Sequence, residues 1–175
     1  LRERLDRVRA AHPAGIPDGT LTTIEYLTWL STDIEQRFAD KAPLYRRRAA
    51  RHLDAVEAGR DPLMEERDRI ANRGYRSAAS TILQGYAVYL PANYDPSQSY
   101  PLYIALHGGS SNGNLFLGVV MGNNMDWETY DQHLWDEYVP RHHPNWIVVA
   151  PTGFGQMLWR WMAEQDVMDV IADVQ

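Results

Sequence analysis

The sequence predicts an α/β protein: an N-terminal helical segment over 1–80, followed over 81–175 by the first part of an α/β sheet with parallel crossovers after residue 101. Three observations carry this. Up to about residue 73 the apolar residues recur at helical spacing, whereas Thr81 to Leu90 alternates loosely and is rich in Tyr, Ile and Val, as a strand should be. The charge changes at the same place: 1–80 hold 15 Arg/Lys and 13 Asp/Glu, 81–175 hold 2 and 10, and five of the six Trp lie after residue 80. Then Pro101-Leu102-Tyr103-Ile104-Ala105-Leu106 runs directly into His107-Gly108-Gly109. An apolar run of this length reads as a buried strand, and glycines at its end bring bare backbone close to whatever binds there.

In order, Leu1 to Ala11 reads as a short charged helix, broken by the prolines and glycines of 12–19. Thr20 is placed to cap a helix whose face carries Ile24, Leu27, Leu30, Ile34 and Phe38. Pro43 opens a further helix that Gly59 ends, and Asp61-Pro62 starts a last one predicted to reach about Asn72. Strands are expected over 81–90 and 101–106, joined by the turn chemistry of 91–97 and paired antiparallel at one edge of the sheet. A helix over Leu115 to Val120, another from Asp126 through Trp127, Tyr130, Leu134 and Tyr138 to Pro140, a strand over 146–150 closed by Pro151-Thr152-Gly153, and a final helix complete the reading. In that helix Val167, Val170, Ile171 and Val174 define an apolar face, and Asp166, Asp169 and Asp173 are expected on a solvated one.

With 175 residues the chain has material for one core and an appendage. No apolar run reaches the length of a membrane span. The absence of cysteine removes disulfides, thiolate metal ligands and Cys nucleophiles. The acidic second half argues against nucleic acid or an anionic membrane as its partner. The charged opening at Leu1 shows no secretory signal, which favours the cytoplasm and leaves secretion after loss of a leader open.

Several clusters invite a chemical reading. Arg46, Arg47, Arg48 and Arg51 are expected on a solvated helix face beside Asp54 and Glu57 rather than on a phosphate. His142-His143 with His133 lack a metal-ligand spacing, and no metal or cofactor is expected. Gly109-Ser110-Ser111-Asn112-Gly113 fits G-x-S-x-G with Ser111 at the nucleophile position. It would need an acid from Asp126, Asp131 or Asp136 and a base from His133, His142 or His143. The motif overlaps the His-Gly-Gly segment, and one strand end serves poorly as both elbow and oxyanion loop, so the chance match is the preferred reading. Trp159 and Trp161, in a loop after a strand, either line a substrate pocket or pack on the sheet.

Residues 84–175 resemble the N-terminal part of an α/β-hydrolase of the esterase kind related to polyhydroxybutyrate depolymerases, feruloyl esterases and prolyl-oligopeptidase-like hydrolases. The matching pieces are Tyr86-Ala87-Val88-Tyr89-Leu90-Pro91, the segment 101–109, Ile147-Val148-Val149-Ala150-Pro151 and the segment 166–174. The resemblance implies hydrolysis of a small-molecule carboxylic ester through an acyl-enzyme, with the backbone N–H of Gly108 or Gly109 in an oxyanion hole. His107, at the strand end beside that loop, is expected to hold it by hydrogen bonds rather than to act as a base. It also implies that the nucleophilic serine, the acid and the histidine lie beyond Gln175, supplied for instance by a second chain carrying the C-terminal half. Two alternatives stand beside it: a non-catalytic binding module of the same fold, and a peptidase. A half-built sheet would leave an exposed apolar edge, so the isolated chain is expected to aggregate or to need a partner.

Overall fold

The computed structural model describes residues 1–11, 13–33, 42–109, 111–123, 140–154 and 157–174. The chain divides into two compact units, 1–65 with 73–75, and 66–72 with 76–175. The predicted positions Ile34 and Phe38, the helix from Asp126 to Tyr138 with Asp131, His133 and Asp136, and also Ser110 and Gly155, lie outside the described residues.

The first unit is helical, with α1 (Arg2–Ala11), α2 (Asp18–Asp33), α3 (Ala42–Glu57) and α4 (Pro62–Glu65). Leu5 and Val8 of α1 meet Leu21 and Ile24 of α2 and Leu53 and Val56 of α3 in one apolar cluster. These pairs sit three apart on their own helices, which is why the helices form together and not alone. Arg4 reaches Asp54 at 2.7 Å and both oxygens of Glu57 at 3.2 and 2.7 Å. Two expectations are corrected in this unit. The α2 helix begins at Asp18, so Thr20 lies inside its first turn, where its hydroxyl donates to Asp61 at 2.9 Å instead of capping. Arg48 is not on a solvated face: with His52, one turn on, it is buried at 2% and 3% exposure, while Arg46, Arg47 and Arg51 remain exposed.

Asp61 and Pro62 start α4 as expected, the Asp61 carboxylate accepting the Leu63 N–H at 3.0 Å. The helix stops at Glu65, however, and residues 70–76 form strand β1 (Ile70–Arg76) where helix to Asn72 is predicted. The charged run 65–69 has helical propensity, but Asp68 takes a left-handed φ of 58° and its N–H bonds the Leu90 carbonyl at 2.8 Å. Burial of Ile70, Ala71 and Tyr75 in extended backbone then outweighs local preference.

The strands form a mixed sheet in the order β1-β2-β4-β3, and the second unit holds β2 (Leu83–Tyr89), β3 (Leu102–Ile104) and β4 (Ile147–Pro151). The expected pairing of β2 with β3 does not occur, because β4 lies between them. It runs antiparallel to β2, with Val88 opposite Val149, and parallel to β3, with Tyr103 opposite Val148. All five residues of β4 are buried, as a central strand of continuous Ile-Val-Val-Ala-Pro requires, whereas Tyr103 of edge strand β3 is 53% exposed. Helices α5 (Gly113–Val120) and α6 (Met162–Asp173) flank the sheet, and the chain is of the α/β class.

The face assignment of α6 is also corrected. Asp166 and Asp169 are buried at 0% and 8% exposure, alongside Ala163 and Val170. Each carboxylate takes a loop N–H that no strand ladder satisfies: Asp166 that of Gly153 at 2.7 Å, Asp169 that of Ala78 at 2.9 Å. Asp173 accepts the Tyr86 hydroxyl at 2.8 Å. Among the described residues no helix is long and apolar enough to cross a membrane.

Candidate active site

Because β3 and β4 run parallel, their C-terminal ends open on the same side of the sheet, and the two loops that leave them meet there. The β3 ladder extends one residue further, Ala105 donating to Val149 at 2.8 Å, before the chain turns through His107, Gly108 and Gly109. His107 is 5% exposed and joins the two loops. Its Nδ1 lies 2.9 Å from the Gly108 carbonyl and its Nε2 3.3 Å from the Thr152 carbonyl. A neutral imidazole has one N–H and so donates to one of the two.

Trp159 closes the junction from the β4 side. Its indole N–H donates to the His107 carbonyl at 2.9 Å, and its ring meets the imidazole edge to face at a centroid distance of 4.9 Å. Its ring also covers Gly153, whose φ is +61°; a Cβ there would stand 2.8 Å from the indole, so both dihedral and space call for glycine. Trp161, by contrast, is 77% exposed, so the structure turns only Trp159 toward His107. Phe154, Leu158, Trp159 and Trp161 all have positive φ, which concentrates backbone strain in the loop after β4. A Trp159→Phe protein keeps the ring and loses the donor, and is expected to be about 1 kcal/mol less stable by urea denaturation. An unchanged midpoint would show that the bond to His107 contributes nothing in solution.

After Gly109 the chain enters α5. Ser111 donates its N–H to the Gly108 carbonyl at 3.3 Å, and Asn112 caps the helix by accepting the Leu115 N–H at 3.0 Å. Gly108 and Gly109 are exposed, and among the described residues neither N–H has an acceptor. Of the histidines proposed to serve Ser111, His143 bonds Asp68 at 2.7 Å and His142 packs against Gly122; His133 lies outside the described residues. Among the described residues no group of His, Asp and Glu is arranged to hold a metal ion.

The role of one residue is missed by the sequence reading, which places it in solvent. Asp166 anchors the β4 loop through Gly153, and its pKa is pushed up to about 6, mainly by burial and further by Asp169, against the Gly153 N–H that lowers it. The signal for it was available in the spacing: Asp166 and Asp169 share a face with Ala163 and Val170, and the N-terminus of α6 has no capping side chain.

No protein-family description matches the chain, and no curated protein matches it. Among solved structures it is similar to an FAE at 28% identity over 53% of this chain and 30% of that one, with a TM-score of 0.34. It is also similar to a CE1 ferulic acid esterase from Anaeromyces mucronatus, solved with ferulic acid, at 16% identity over 60% of this chain and 38% of that one, with a TM-score of 0.32. The chain thus spans about a third of the length of these structures.

Proposed function

We propose that residues 105–112 are the oxyanion-hole loop of a serine hydrolase acting on carboxylic esters. The observation that carries this reading is the pair of N–H groups at Gly108 and Gly109. They are exposed, without acceptors among the described residues, and sit in the loop between the third strand and the helix that follows it. That is the connection from which an α/β-hydrolase supplies one of its two oxyanion donors. A tetrahedral acyl intermediate places negative charge on the former carbonyl oxygen, and fixed backbone donors stabilise it without reorganising. One such donor is worth about 10²–10³ in kcat where it has been removed. His107 is the positioning residue: its ring lies between the Gly108 and Thr152 carbonyls, at the junction of the loop with the end of β4, and its N–H donates to one of them. In this reading Ser111 is not the nucleophile, and the serine, acid and histidine of the triad come from outside residues 1–175.

Labelling of the whole protein from its source with a fluorophosphonate, followed by mass spectrometry of every polypeptide present, tests this. The expected label falls on a serine outside residues 1–175. A label on Ser111 overturns the assignment of the loop, and no label on any polypeptide overturns the hydrolase reading in favour of a binding module.

A further inference from the structure

On the β3 edge of the second unit lies a groove of about 520 Å³. Tyr103, Met121 and Trp146 supply its apolar walls, and Arg141, His142 and His143 its polar side. Tyr103 and Trp146 are 53% and 45% exposed, so two aromatic rings stand unburied around one concavity. Its fixed charge is opposite in sign to the balance of residues 81–175. Residues 81–175 contain only two Arg/Lys against 10 Asp/Glu, and one of those two, Arg141, lines this groove. Among the described residues the Arg141 side chain has no carboxylate partner.

His143 is held in place by a small network. Its Nδ1 lies 2.7 Å from Asp68 Oδ1, the same oxygen that accepts the hydroxyl of fully buried Tyr89 at 3.0 Å. Asp68 itself sits at φ 58°, a conformation an Asp adopts at a cost. The His143 proton and the Tyr89 hydroxyl hold the Asp68 carboxyl below its usual range. With Nδ1 engaged, Nε2 is the ring atom of His143 left without a partner among the described residues. A proton on Nε2 would let the ring donate to a ligand while Nδ1 faces Asp68.

We propose that this groove binds an amphipathic anion: a flat apolar body between Tyr103 and Trp146, with one carboxylate or sulfonate on Arg141 and His143. The argument is charge complementarity together with apolar area. Exposed aromatic surface gains from covering, and a single anionic head meets Arg141, one of the two Arg/Lys in residues 81–175. This site is independent of the oxyanion-loop reading.

The test uses two dyes that share an aromatic body: 1-anilinonaphthalene-8-sulfonate, which is anionic, and N-phenyl-1-naphthylamine, which is neutral. Fluorescence titration of the chain is expected to show saturable one-to-one binding of the sulfonate. Arg141→Ala and His143→Gln should each weaken it about five- to tenfold, as loss of a charge-assisted hydrogen bond predicts, and leave the neutral dye within about twofold. Trp146→Ala should weaken both dyes. Circular dichroism of these surface variants confirms that they remain folded. Non-saturating uptake of the sulfonate, equal loss of both dyes on removing Arg141, or insensitivity of both dyes to Trp146→Ala each overturns the proposal.

Discussion

Replacing Gly113 by valine is expected to cost about 3 kcal/mol or more, enough to unfold much of a marginally stable domain. A Cβ at this position would run into the Ala150 carbonyl oxygen and stand 2.7 Å from that of Pro151. Those oxygens belong to the backbone of the central strand, so neither can rotate away as a side-chain tip would. The requirement is space rather than dihedral freedom: Gly113 is the first residue of α5, and its lack of a side chain lets the helix start flat against the end of β4. Alanine should already destabilise measurably, and valine more. Urea denaturation followed by circular dichroism reads both. A valine variant within about 0.5 kcal/mol of the parent would show that α5 does not pack on β4 as described. Because this packing also positions residues 105–112, loss of the helix start should remove any activity of the loop together with stability.

The second large effect is on the pH dependence of stability. In the folded chain the Asp166 carboxyl titrates at about 6, against an ordinary value of 3.8. The folded state therefore holds this proton more tightly than the unfolded state. The stabilisation it brings is fully present below about pH 4 and is lost as pH rises through about 6. Asp166 is 0% exposed, so the shift corresponds to about 2–3 kcal/mol, spread over the interval from about pH 4 to pH 7. Asp68 and Glu57, whose partners His143 and Arg4 hold their pKa values down, work in the opposite direction and weaken the fold as pH falls. The whole-protein profile is thus a sum of opposing slopes, and the difference from an Asp166→Asn variant isolates one of them. Asparagine keeps an oxygen for the Gly153 N–H and cannot ionise. Between pH 4 and pH 7 the parent should lose about 2 kcal/mol relative to the variant in parallel urea titrations. Parallel curves would mean that Asp166 is not buried in solution.

Much of the architecture could be read before any coordinates. Elements with an uninterrupted period are found where the spacing places them: α1 and α3 in the first unit, β2 in the second, and β4, whose run of Ile147-Val148-Val149-Ala150 has the continuous apolarity of a strand buried on both faces. The errors share one cause. The start signal Asp61-Pro62 predicts a helix to about Asn72, yet Asp68 turns the chain and Ile70 begins a strand. As acids on an amphipathic helix Asp166 and Asp169 are expected in solvent, yet both satisfy loop N–H groups that have no ladder partner. Grouping Arg48 with its exposed neighbours overlooks that it stands one turn from both Leu44 and His52 on the buried face of α3. In each case the partner that decides is distant in sequence, and local pattern does not name it.

The candidate site divides in the same way. That the segment 101–109 ends a strand in a glycine-bearing loop, and that His107 belongs to that loop, follows from composition and spacing alone. So does the general class, helices with a mixed sheet, because the switch from a period near four to alternation is written along the chain. Only the tertiary structure decided that β4 inserts between β2 and β3, which sets the 152–161 loop beside His107. Only it decided that Trp159 faces the imidazole while Trp161 faces solvent, and that Asp166 anchors Gly153. The physical reason is that strand order and loop contacts are settled by which surfaces bury each other, a competition among residues far apart in sequence. Period and turn chemistry concern neighbours, and those the amino-acid sequence states directly.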